Sequence, residues 1–196
     1  MAETTAKPLA SPAHNNTADD EILVKQFNQG DGSAFDRIVV KYSADIAVLA
    51  NRLLGWSGDT EDVVQDIFLS TFLGLKKFRG DCSLRTWLFN ITINKCRTYR
   101  YKQMFRLKFL SKATNDTNIV PSADKTTMDK ETFDSIRRVI MTLPAKYREP
   151  VVLTYLQQLP MDDICQMLGI SKNLLQVRLN RAKQQLKDNL AEFIKE

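Results

Sequence analysis

Wherever apolar residues are dense in this chain they recur three and four positions apart, the interval that places them on one face of an α-helix. Residues 1–18 have no such period. They are mostly Ala, Thr, Ser, Pro and Asn and are expected to be disordered. Asp19 or Asp20 is placed to cap a short helix carrying Ile22, Leu23, Val24 and Phe27, which Gly30 ends. A longer helix opens at Asp31 or Ser33. Its buried stripe is Phe35, Ile38, Val39, Tyr42, Ile46, Leu49, Ala50, Leu53 and Leu54, and Gly55–Gly58 closes it. A third helix starts from an Asp59 cap and buries Val63, Val64, Ile67, Phe68, Phe72 and Leu75. A short Gly-containing loop leads to a fourth, with Leu84, Trp87, Leu88 and Ile91 facing the core. Thr86, Asn90, Asn94 and Arg97 lie on its other side, together with apolar Phe89 and Ile93.

Residues 106–128 are rich in Thr, Asn, Ser and Asp and are expected to form a flexible linker. Helical spacing resumes at Phe133, Ile136, Val139, Ile140 and Leu143. Pro144 suits a first helical turn, Pro150 begins or kinks the helix through Val151–Leu156, and Pro160 ends it. Strand alternation is absent. The expected fold is all-α, with two small helical domains, residues 19–105 and 129–196, joined by the linker. Each is expected to be a separable module.

The last stretch carries a more specific pattern. Ile164 and Leu168 face a core, and Cys165 is small where a second helix must cross closely. Gly169 supplies the positive φ of a tight turn, and Ile170 plugs the core. Ser171 caps the next helix, which Leu175 and Leu179 anchor. Its outward residues Lys172, Asn173, Gln176, Arg178, Arg181 and Lys183 are types that bond phosphates and base edges. The spacing of Leu175, Leu179, Ala182, Leu186, Leu190 and Phe193 also suits a coiled-coil seam in a plain helical hairpin, but the glycine turn and Cys165 favour a helix-turn-helix.

Charge sharpens this picture. From Lys76 to Lys112 there are eleven Lys or Arg and one acid, Asp81, whereas the whole chain has 28 basic and 23 acidic residues. A basic segment on an otherwise acidic body is the footprint of a phosphate-backbone binder. Glu61, Asp62, Gln65 and Asp66 form a separate acidic face without basic partners one turn on. The single histidine, His14, lies in the polar tail, which leaves little for acid–base, nucleophilic or zinc chemistry. Cys82, Cys96 and Cys165 form no C-x-x-C pair and read as reduced small residues, so neither a metal nor a cofactor is expected. Adjacent Asp162 and Asp163 do not converge on one site, which argues against a nuclease-like enzyme. No apolar run suits membrane insertion and the N-terminus has no signal-peptide core, so a cytoplasmic location is the expectation.

Taken together, EDVVQDIFLSTF (61–72), FRGDCSLRTWLFNITIN (78–94), LPAKYREPVVL (143–153) and the DICQMLGIS…VRLNRAKQQL run resemble the bacterial sigma-70 superfamily. The resemblance is to its short extracytoplasmic-function (ECF) group, which has only regions 2 and 4. It implies a transcription initiation factor, not an enzyme, that directs core RNA polymerase to promoters. By resemblance, Asp62, Gln65 and Asp66 bind the β′ clamp helices, and region 4 meets the β flap. Arg79, Asp81, Ser83, Arg85, Asn90, Asn94, Arg97 and Arg100 serve the melted −10 element, with the 78–83 loop capturing a flipped base. The helix-turn-helix reads the −35 element. An anti-sigma factor is an implied partner. Three departures stand out: Thr98 replaces a frequent Asp, Leu174-Leu175-Gln176-Val177-Arg178 replaces a T-V-x-S-R pattern, and Pro150 stands where the family usually carries a helix-compatible residue. The competing reading is a helix-turn-helix regulator that binds duplex DNA without polymerase.

Overall fold

Caps and glycines set the element boundaries much as the pattern requires. The computed structural model describes residues 17–55, 60–113 and 137–193, and among these no strand occurs. The helices are α1 (Thr17–Asn28), α2 (Gly32–Leu54), α3 (Thr60–Leu75), α4 (Leu84–Ala113), α5 (137–142), α6 (Ala145–Val151), α7 (Met161–Leu168) and α8 (Lys172–Phe193). Asp31 caps α2 by accepting from the Ser33 amide at 2.9 Å. Gly55 ends it at φ 76°, its N–H donating to the Asn51 carbonyl. The expected disorder of 1–16 and the Asp59 cap lie outside the described residues, as do 114–128 of the expected linker and the start of the second domain.

Two helical domains result. In the first, α2 is central and packs against α1, α3 and α4. In the second, α6 packs along α8, and α7 crosses α8 to complete the helix-turn-helix. The α2 stripe is buried at Ile38, Tyr42, Ile46, Leu49, Ala50, Leu53 and Leu54. In the second domain Ile164, Met167, Leu175, Leu179 and Ala182 are buried.

Several expectations are corrected. Helix α1 starts at Thr17, so neither Asp19 nor Asp20 is its cap. Asp20 is instead 5% exposed and accepts from Lys41 Nζ at 2.6 Å and Tyr42 Oη at 2.7 Å, tying α1 to α2. Helix α4 runs past residue 105 to Ala113, into the expected linker. Its buried arc is also rotated. Phe89, Ile93 and Cys96 are buried with Leu84 and Leu88, whereas Trp87 and Ile91 are half-buried. Besides α2 and α3, helix α4 is approached by α7 of the other domain.

Pro150 neither begins a helix nor simply kinks one. It sits inside α6, where it has no N–H to offer the carbonyl four residues back. The chain then widens into a π turn over Val152–Leu156, and the Gln157 amide donates to Val152 O five residues back at 2.9 Å. Nor are the two domains apart. Their buried side chains form one continuous cluster. Across the seam, Met141 lies against Gly55, and Arg52 Nη1 donates to the Leu156 carbonyl.

Candidate nucleic-acid interface

Helix α3 presents the acidic face in the open: Glu61, Asp62, Gln65 and Asp66 are all exposed. The two aspartates stand one turn apart. Continuing along the same stripe come Leu69 and Leu73, 58% and 68% exposed, and then Lys76. The polar signal was legible in the sequence; the two leucines were not singled out, although their i+3 and i+4 spacing from Asp66 and Leu69 carries them onto this face. Phe72, expected in the core, is partly exposed and packs edge-on against Phe27 and Phe35, with ring centroids 5.4 and 5.1 Å away.

After α3 the sign changes. Lys76, Lys77 and Arg79 are exposed, as is Asp81. Phe78 does not point free; its ring packs on Trp87 at 5.2 Å. Trp87 in turn lies so close to Gly74 that a Cβ there would come within 3.3 Å of the indole, which identifies the tryptophan as packing. Ser83 is the N-cap of α4: its Oγ accepts from the Thr86 amide at 3.1 Å and is 2.8 Å from the Thr86 hydroxyl. Thr86, expected to face outward, is therefore buried.

The other residues expected at the −10 element differ in how far they are engaged by neighbours. Asn90 is half-buried and Asn94 exposed. Arg85 is bonded to Asp45 at 3.2 Å and lies over the Phe89 ring at 4.6 Å. Arg97 makes a two-pronged pair with Glu149 of the other domain, Nε to Oε1 at 2.7 Å and Nη2 to Oε2 at 2.5 Å. It also donates to Asn94 Oδ1 at 3.3 Å. Arg100 reaches Met141 Sδ at 3.8 Å.

Electrostatics at this seam follow from burial. The Glu149 hydrogen bond raises the Arg97 guanidinium above its ordinary value. Burial lowers Arg100. Burial, and then the nearby Arg100 charge, pull Arg148 down to about 10. Burial, with Glu149 adding to it, pushes the Cys96 thiol up to about 12. Arg148 is itself buried and donates to the Leu143 carbonyl at 2.9 Å, while its Nε has no hydrogen-bond partner. Glu149 and Arg148 fall in the LPAKYREPVVL segment, where spacing gives neither a role. Only the packing of α4 on the second domain reveals one.

In the helix-turn-helix, Gly169 takes φ 64° and its N–H reaches back to α7. Ser171 Oγ accepts from the Leu174 amide at 3.3 Å, so Ser171 caps α8. Lys172, Asn173, Gln176, Arg181 and Lys183 are exposed and Arg178 is half-buried. Lys172 pairs with Asp162 at 2.5 Å, which raises the ammonium. An Arg181 hydrogen bond holds the Tyr147 phenol below its ordinary value, and Lys183 Nζ stands 5.5 Å from the Tyr155 ring. Leu174 and Val177, the departures from the family pattern, are exposed rather than packed.

The comparisons agree with this geometry. A family model for sigma-70 region 2 matches residues 38–106, and one for sigma-70 region 4 matches residues 133–186. The ECF RNA polymerase sigma-E factor of Escherichia coli strain K12 is 27% identical over 198 residues, covering 90% of this chain and 96% of that protein. Among solved structures, CnrH in complex with the cytosolic domain of CnrY is 25% identical at a TM-score of 0.65, over 89% of this chain and 98% of that one. The sigma factor RpoE of Bartonella quintana, solved with the anti-sigma factor NepR, shares the fold at a TM-score of 0.59 and 20% identity, over 80% of this chain and 96% of its own. With both region models matched in order on two helical domains that carry an acidic helix face, a basic helix and a helix-turn-helix, the chain belongs to the sigma-70 family, in its extracytoplasmic-function group.

Proposed function

We propose that this sigma factor divides its work among three surfaces. The exposed α3 face, Asp62, Gln65 and Asp66, docks on the β′ clamp helices of core RNA polymerase. The 78–83 loop and the outer side of α4, with Arg79, Asp81, Ser83, Arg85, Asn90, Asn94, Arg97 and Arg100, hold the melted −10 element. Helix α8 lies in the major groove of the −35 element through Lys172, Asn173, Gln176, Arg178, Arg181 and Lys183, while the second domain meets the β flap. Strand opening is driven by binding free energy, with no catalytic step of its own. An anti-sigma factor in the cytoplasm restrains it, as NepR is found with the Bartonella quintana protein.

The observation that carries this reading is the exposed polar set on α8 above a buried Leu175, Leu179 and Ala182. Run-off transcription with purified core polymerase, with and without the chain, is the test. No promoter-dependent product from any template of its own genome would rule the reading out. Arg181→Ala should weaken upstream-element binding, by about 1–3 kcal/mol if it touches a base edge and with a shallower salt slope if it touches a phosphate. It should spare core association. The Asp62→Ala, Asp66→Ala double variant should do the reverse, and equal loss of both activities in each protein would contradict the division.

A further inference from the structure

The core side of α8 is set by Leu175, Leu179 and Ala182, all buried. At about 100° per residue, Val177 points almost directly away from them, and Leu174 stands one turn before it. Leu174 is 40% exposed and Val177 44% exposed. Both lie in the first two turns of α8, the part of a recognition helix that meets base edges. Around them the surface is polar and of one sign. From Lys172 to Lys187 there are five Lys or Arg and no acid. Asn173, Asn180 and Arg181, one turn to either side of Val177, are exposed, and Gln176 Nε2 donates to Asn180 Oδ1 at 3.4 Å. Two apolar side chains therefore sit bare in the middle of a basic, amide-bearing face.

Chemistry limits what such a pair can recognise. Neither side chain donates or accepts a hydrogen bond, so neither can read the polar edge of a base. Against a guanine or cytosine edge they would strip water from polar atoms and return no hydrogen bond. The one methyl group that a base pair presents in the major groove is that at C5 of thymine. The basic rim suits a groove walled by phosphates. We propose that Leu174 and Val177 read thymine methyl groups in the −35 element, so that this chain selects A·T pairs there by apolar contact. The inference rests on the sigma reading for the placing of α8 in the major groove, and deepens it by naming what these two positions select. It also gives the departure from T-V-x-S-R a physical meaning: two polar contacts are exchanged for methyl contacts, while the surrounding cations hold the backbone.

The test uses holoenzyme reconstituted from core polymerase and the full chain. Binding to a duplex library randomised over the −35 element selects the preferred sequence. Each thymine of that element is then replaced singly by deoxyuridine, which keeps every hydrogen-bonding group and removes only the methyl. Wild-type holoenzyme should bind about fourfold more weakly for each methyl that Leu174 or Val177 covers, the factor expected from exposing one methyl-sized group. Val177→Ser should lose the uracil penalty at one thymine and keep it at the other, and Leu174→Ser should do the opposite. The wild-type uracil scan needs no variant, and circular dichroism should show both variants as helical as the wild type, since both positions are exposed. A selected element without thymine overturns the proposal, as does equal affinity for thymine and uracil duplexes, or a uracil penalty that survives in the Leu174→Ser, Val177→Ser double variant. If a flat uracil scan comes with weaker binding of Val177→Ser to core polymerase, the pair belongs to a protein contact instead. Run-off transcription from the selected promoter separates the two readings. A promoter-dependent product with a flat scan means that only the methyl reading is wrong, whereas no selected sequence and no product means that the sigma reading fails and takes the methyl reading with it.

Discussion

Single residues decide how the helices are tied. Asp20 shows a carboxylate leaving its expected capping role because a better one exists across the helix pair: two donors, Lys41 and Tyr42, converge on it at 2.6 and 2.7 Å. Burial and then the Asp20 hydrogen bond raise the Tyr42 phenol. Cys96 has the same sign for the same first reason, since burial pushes its thiol up to about 12 from an ordinary value of 9.0. A raised acid contributes stability that is complete below the unfolded pKa and lost as pH rises through the folded one. Urea unfolding between pH 9 and pH 12 should therefore show stability falling, and a Cys96→Ala chain should show a flatter decline. Parallel curves for the two proteins would mean that the thiol ionises no later in the folded chain than in the unfolded one.

Elements are where the sequence was most legible. The starts of α2 and α8, the stop of α2, the helix-turn-helix glycine and the buried α2 stripe follow from local chemistry: a short side-chain acceptor, a left-handed residue, a 3.6-residue period. Gly169 and Gly55 separate two costs. A methyl at Gly169 meets nothing within 4 Å, so Gly169→Ala should lose about 1–2 kcal/mol from its φ of 64° alone. At Gly55 the new Cβ would also lie 2.9 Å from Met141 side-chain carbons, so Gly55→Ala should lower the midpoint of thermal unfolding further, read by circular dichroism. Equal shifts would mean that Met141 moves aside freely. What the period could not give was the width of the α4 stripe. Helical spacing alone suggested Trp87 and Ile91 as core; in the fold Phe89, Ile93 and Cys96 are buried and those two are half-buried. The π turn after Pro150 was likewise hidden, because a missing N–H forces a rearrangement without stating which.

At the scale of the whole molecule, a bead-on-a-string picture is replaced by two domains sharing one buried cluster. Cooperativity should follow. Scanning calorimetry of the wild-type chain should give one transition, with the calorimetric and van't Hoff enthalpies equal, while Glu149→Gln should resolve a separate, earlier melting of the second domain. Two transitions in the wild-type chain would show that the seam couples the domains too weakly to matter. The surfaces follow the same logic. The acidic α3 face and the outward set of α8 stay exposed and were readable as patterns, whereas the α4 set is split between exposed Asn94 and engaged Arg85, Arg97 and Arg100.

The amino-acid order by itself determined which segments are helical, the caps and glycines that bound α2 and α8, the basic run against an acidic body, and the family. These depend on neighbours within a few positions, where caps, glycines and apolar spacing act. Only the tertiary structure decided that Asp20 is an inter-helix anchor, that Phe89 and Ile93 are core, and that Glu149 holds Arg97. Each of those is a contact between residues far apart in the chain, the last separated by 52 positions, and burial alone makes such a contact strong.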